Sequence, residues 1–354
     1  MEKIKQEPKL RQGNFELLRI VSMMLVLLGH YVPTRELGII TSSSFALVDG
    51  WSENLIVLAN LGMRSLSIVC VHCFILISGW FGIKFKIKSL TNLLFQMLFW
   101  CIACIAIAVI ITGDLSPLPS VKTFLSTIVY GWFPESYLIL FFVSPILNAF
   151  INSCNEKELG KYIIYFYILS TIGGYLLGWY EYKAGMSALS LCGLYLIGAY
   201  LKRSSLKIFS LQAKYDMMIY LGLGFMMVVL NLVLLRIGIS SSPYGYLNPI
   251  VILMAIYLFL FFKKLEIKHN KIINFFSVSA FSVYLFHCNI YLGGRISGMW
   301  RDINLHFGQF SSILVAIVSF VLIYLFCTLI DQIRIWVYNR WVVACGVYRR
   351  GGCA

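Results

Sequence analysis

Apolar runs follow one another along this chain about ten times, each close to the roughly 20 residues that a helix needs to cross a bilayer. Only short polar segments separate them. In hydrocarbon a backbone N–H or C=O has to be paired within its own segment, so runs of this length fold as helices. Of the 354 residues, 60% are hydrophobic and 12% are charged, too little polar surface for a soluble domain of that size. The chain is therefore expected to be an all-α integral membrane protein, a polytopic bundle of about ten transmembrane helices.

The runs lie near residues 14–33, 61–83, 90–112, 133–152, 161–180, 186–201, 215–236, 247–262, 272–293 and 310–333, with 121–132 a candidate for lying along the interface. With the N-terminus inside, 21 Lys or Arg fall in cytoplasmic segments, counting the boundary residue Lys161, against six outside. Basic residues collect in cytoplasmic loops, so both termini are expected in the cytoplasm. The same bias accounts for the net charge of +14 without a nucleic-acid partner. One transmembrane domain over 14–333 follows, with a cytoplasmic segment 1–13 before it and a cytoplasmic tail 334–354 after it. The basic start resembles a secretory signal, but no small-residue cleavage pattern follows His30, so the first run is read as a retained span.

The ten cysteines are scattered, mostly inside apolar runs, and form no disulfide framework. "CVHC" (70–73) and "CIAC" (101–104) have the look of metal pairs, yet both lie in spans without further ligands at suitable spacing. No metal site is expected.

"LLRIVSMMLVLLGHYV" (17–32) carries Arg19 and His30 inside a membrane span. Polar groups there are costly and by default mark function or pair with something. Eleven residues on a helix come to about 20° past three full turns, so both side chains leave one face roughly 16 Å apart along the axis. A snorkelling Arg and an interfacial His are the plain alternative. The functional reading is chemical. An inward Arg near the cytoplasm can hold phosphate by charge-assisted hydrogen bonds, and an imidazole deeper in the bundle can take a proton near neutral pH. Acyl-CoA fits that layout, with its phosphorylated nucleotide near Arg19 and its thioester reaching towards His30.

An Arg, ten residues and then a His in the first span resembles the signature of the acyltransferase-3 family of membrane-bound O-acyltransferases. "VHCFILISGWF" (71–81) is similar to that family's Val-Asp-Leu-Phe-Phe-x-x-Ser-Gly stretch, with Ser78 and Gly79 in register. "WFPESYLILFFVSPIL" (132–147) keeps the spacing from Trp132 to Pro145, and "YLNPIVILMAIYLFLFFKKL" (246–265) resembles the eighth span of bacterial polysaccharide O-acetyltransferases. "SAFSVYLFHCNIY" (279–291) is similar to the late Ser-x-x-x-Tyr-Leu-x-His segment. Two positions depart from the pattern: His72 stands where many members have an acidic residue, and Tyr137 where Glu is frequent, with Glu135 two residues earlier.

The resemblance implies transfer of an acyl group, acetyl above all, from cytoplasmic acyl-CoA to a hydroxyl of a cell-surface polysaccharide or its lipid-linked precursor, in the cell membrane. Acyl-CoA is then a donor substrate, with no bound cofactor, and the partners are the bilayer and the glycan acceptor. His30 is the expected general base or acyl relay, and Arg19 orients the donor or stabilises developing charge. Arg64 is a second candidate for the donor, with helix anchoring as its alternative. Glu135, Tyr137, His72, His287 and Tyr284 are candidates for substrate contact. For His72 and His287 a packing or hydrogen-bonding role stands beside that one. Ser78 and Gly79 are expected to permit close helix packing. A lipid-linked glycan flippase is the rival reading, and a scaffold that has kept the fold without the activity is a third.

Overall fold

The computed structural model describes residues 11–39, 51–237 and 243–344, and among these it is helical with no strand. Fourteen α-helices follow in order: α1 Gly13–Ile39, α2 Trp51–Ser67, α3 Cys70–Phe81, α4 Ile87–Thr112, α5 Val121–Ile128, α6 Trp132–Ser153 and α7 Glu156–Leu169. Then come α8 Ala188–Arg203, α9 Ala213–Arg236, α10 Pro249–Lys263, α11 Lys271–Ser277, α12 Ala280–His287, α13 Gly293–His306 and α14 Gln309–Ala344. Residues 1–10 of the expected cytoplasmic start and 345–354 of the expected tail lie outside the described residues.

Among the described residues, six helical stretches are long and apolar enough to cross a membrane: Gly13–Val32, Val57–Phe81, Ile87–Thr112, Trp132–Ser153, Ala213–Leu234 and Phe310–Val342. Six of the ten expected runs fall on these stretches. The other four apolar runs are short or broken. The run at 161–180 leaves α-geometry at "STIGG" and winds as a π-helical turn over Ser170–Leu176, where Trp179 packs on Gly173. The run at 272–293 divides at Val278 and Ser279 into α11 and α12. The runs at 186–201 and 247–262 become α8 and α10, which are 16 and 15 residues long.

The bundle is tightest where α3 crosses α8. A Cβ on Gly79 would run into the Tyr195 carbonyl, and one on Gly198 into the Leu76 carbonyl, so the two backbones touch through their glycines. The chain leaves α3 through Gly82, whose positive φ of 74° suits glycine. Tyr195 then locks that exit: its hydroxyl accepts from Ile83 N at 2.8 Å and donates to Asn148 Oδ1 at 2.7 Å. The Asn148 amide returns a bond to the Ile83 carbonyl.

α14 passes the expected boundary at 333 and continues to Ala344. Tyr338 holds this end down through Thr91 and the Lys88 carbonyl. Arg334, counted above among the residues of a cytoplasmic tail, is instead buried in the helix bundle.

Candidate active site

A cavity of about 340 Å³ opens among α1, α3, α4, α6, α11 and α12, within the size range of small-molecule sites. Arg11 and Arg19 line it, with Ser78 from α3, Asn92 and Gln96 from α4, and Tyr137 from α6. Most of the remaining lining is apolar, from residues such as Met23, Phe74, Phe133 and Phe281. A charged, hydrogen-bonding rim on an apolar shaft takes a ligand with an anionic end and a less polar arm.

The arginines are held by Glu16, which the sequence reading did not single out. Its buried carboxylate lies 3.5 Å from Arg19 Nη1 and 3.2 Å from Arg11 Nη1, and it accepts from Ser277 Oγ at 2.7 Å. One carboxylate thus faces two guanidinium groups. The rim keeps positive charge after the internal pairing, which leaves donors for an anion. Glu16 precedes Arg19 by three residues, the spacing that places two side chains together on a helix, and that spacing was the available signal.

Further along the same helix, His30 Nδ1 lies 2.9 Å from His287 Nε2 on α12. His287 Nδ1 lies 2.6 Å from the Val283 carbonyl, one turn back. A carbonyl can only accept, so in the neutral pair His287 carries its proton on Nδ1 and a lone pair on Nε2. His30 must then donate from Nδ1, which leaves its own lone pair on Nε2. His287 is buried, whereas His30 is exposed. The result is an imidazole with one nitrogen free, on an exposed residue, and its other nitrogen oriented by a buried chain ending on the backbone. That is the nucleophile–base–orienter logic of catalytic triads, with one imidazole orienting another.

A second polar cluster sets the position of α12. Asp331 and Arg334 on α14 form a buried ion pair, with Nε to Oδ1 and Nη2 to Oδ2 both at 2.8 Å. Asp331 also accepts from Ser279, Ser282 and the Trp100 indole, while Arg334 reaches Asn92. Gln96 donates to Ser282 at 2.8 Å. Ser279 and Ser282 belong to the segment that carries His287, so the ion pair ties that segment to α4 and α14. The polar side chains of this segment therefore face separate partners. Ser279 faces Asp331, His287 faces His30, and the Tyr284 ring packs against Phe281, Phe133 and His287.

The remaining candidates lie elsewhere. Arg64 sits over the Tyr244 ring at 4.7 Å and is not among the residues lining the cavity. His72 is buried, and its Nε2 donates to the Tyr246 carbonyl at 2.9 Å. Its Nδ1 and the Tyr167 hydroxyl have no protein partner, and both residues line a small void of about 10 Å³, room for one water. Glu135 is exposed in the first turn of α6, whereas Tyr137 faces the cavity. Cys70 and Cys73 are buried free thiols.

α1 thus carries both Arg19, which lines the cavity, and His30, which is not among the residues lining it. A family model described as an acyltransferase domain matches residues 12–332, nearly the whole chain, and the protein belongs to the acyltransferase-3 family. No curated protein and no solved structure matches it.

Proposed function

We propose that this membrane acyltransferase moves an acetyl group from acyl-CoA to a hydroxyl of a cell-surface polysaccharide or its lipid-linked precursor, working in the cell membrane with both termini in the cytoplasm. The observation that carries the reading is the free Nε2 of His30, aimed by His287, on the helix that also brings Arg19 to the cavity. Arg19 and Arg11 hold the phosphates of the donor at the rim, and the pantetheine arm follows the apolar shaft. The cavity suits that arm better than the whole cofactor, so the nucleotide stays outside.

In the transfer step the acceptor hydroxyl gives its proton to His30 Nε2 as its oxygen attacks the thioester carbonyl. His287 accepts from His30 Nδ1 throughout and stabilises the imidazolium. The C–S bond then breaks, and the departing thiolate takes the proton from His30, leaving the ester and free CoA. Tyr137, which lines the cavity, and Tyr284, which packs on His287, are the candidates for contact with the substrates from α6 and α12, while Arg64 is kept as a candidate for the donor and Glu135 for substrate contact.

The test uses the purified protein in lipid with acetyl-labelled acetyl-CoA and a membrane glycan extract. Label appearing on glycan as a base-labile ester supports the reading. Glycan that crosses the bilayer without consumption of acetyl-CoA contradicts it.

A further inference from the structure

The side chain next to the paired imidazoles has no place in the step above. Cys288 follows His287 directly, and its Sγ lies 3.3 Å from His287 Nε2 and 3.7 Å from His30 Nδ1. Three donor atoms, two imidazole nitrogens and one sulfur, thus converge within 4.8 Å of one another.

The spacing can be compared with what a cation requires. Zinc bonds of roughly 2.0–2.1 Å to nitrogen and roughly 2.3 Å to sulfur, at tetrahedral angles, put two nitrogens about 3.3 Å apart and nitrogen and sulfur about 3.5 Å apart. The two nitrogen–sulfur edges match within about 0.2 Å, and the nitrogen–nitrogen edge has to open by about 0.4 Å from its 2.9 Å. The outer partner is also in place, because His287 Nδ1 donates to the Val283 carbonyl, the hydrogen bond that fixes a metal-binding imidazole in the right tautomer. His30 is exposed, so an ion can reach the group and keep a fourth position open.

We propose that His30, His287 and Cys288 form a binding site for a borderline-soft divalent cation, zinc above all, and that its occupancy blocks acyl transfer. Blocking follows from where the lone pairs lie. The ion takes the place of the proton between the imidazoles and claims the Nδ1 lone pair of His30. The ring's remaining proton must then sit on Nε2, the atom that has to accept from the acceptor hydroxyl. The thiol gives its proton to solvent on binding. The blocking half of the proposal rests on the acyl-transfer reading, whereas the binding half does not.

The experiment titrates cobalt(II) into the full-length protein in lipid nanodiscs and reads the optical spectrum. Wild type is expected to show the strong visible bands of tetrahedral cobalt with a thiolate charge-transfer band, both displaced by zinc. The charge-transfer band is expected to vanish in Cys288→Ala and in the near-isosteric Cys288→Ser. Its absence from wild type, or its full persistence in both variants, overturns the site. In the transfer assay zinc is expected to inhibit wild type, a chelator to restore it, and Cys288→Ala to raise the inhibition constant at least about tenfold with metal-free transfer retained. Cobalt binding without inhibition of a transfer-competent protein overturns the blocking. A wild type that binds cobalt yet never transfers acetyl, with or without chelator, contradicts the acyl-transfer reading and leaves the site standing.

Discussion

His30 Nδ1 and His287 Nε2 stand 2.9 Å apart although 257 residues separate them in sequence. The pair joins the first helix to a short late one and decides which nitrogen of His30 is free to act. In the proposed transfer His287 is thus a positioning residue. Replacing it by Ala removes the acceptor that holds the His30 tautomer and leaves the donor cavity intact. The expected result is a fall in kcat of about a hundredfold, at the low end of what a positioned acid–base group contributes, with KM for acetyl-CoA unchanged. A rise in KM with kcat preserved would place His287 in donor binding instead.

Arg19 acts on the phosphates of the donor in this account, and that separates it from His30. Arg19→Ala should raise KM for acetyl-CoA strongly and leave the use of acetyl-pantetheine, which has no nucleotide phosphates, nearly unaffected. Steady-state kinetics with the two donors measures the difference. Equal losses with both would give Arg19 a role at the reacting carbonyl.

Asp331 carries a structural prediction. Removing one partner of a buried ion pair leaves the other charge uncompensated, at a cost of roughly 3–5 kcal/mol. Asp331→Ala should therefore lower thermal stability markedly and release Ser279 and Ser282, and with them the segment that bears His287, from α14. The double variant with Arg334→Met should recover part of the loss, because the stranded cation goes with it. Thermal unfolding in detergent of the two variants makes the comparison.

The crossing of α3 and α8 has no room for a methyl group. Gly79→Ala should cost about 1–3 kcal/mol through overpacking, while Gly62→Ala, where a Cβ meets nothing within 4 Å, should be neutral. The folded yield after extraction reports both.

What could be read from the sequence was whatever has a local period. The apolar runs located nearly every helix, and Arg19 and His30 declared themselves because two polar side chains on one face of an apolar helix need a reason. The close packing of Gly79 was legible for the same kind of reason, since a small residue in an apolar helix lets a neighbour approach. Which runs stay continuous was not, because a run such as 272–293 is as apolar as a continuous helix and its break at Val278 and Ser279 is settled by partners on α4 and α14. Asp331 and Arg334 were passed over for that reason too. At the end of a long apolar run they look like the start of a tail, and only the fold brings Trp100, Ser279, Ser282 and Asn92 to them. His287 needed the same long-range information to find its histidine, whereas Glu16 stands within five residues of both its arginines.

In the proposed step His30 supplies the base while the donor is held elsewhere. The most direct measurement follows label transfer from acetyl-CoA to glycan in lipid, for wild type and His30→Ala at equal membrane abundance, beside acetyl-CoA binding to each. The account predicts a loss of transfer of about 10²–10⁴-fold in the variant with binding of acetyl-CoA unchanged. Transfer by His30→Ala at the wild-type rate would contradict it.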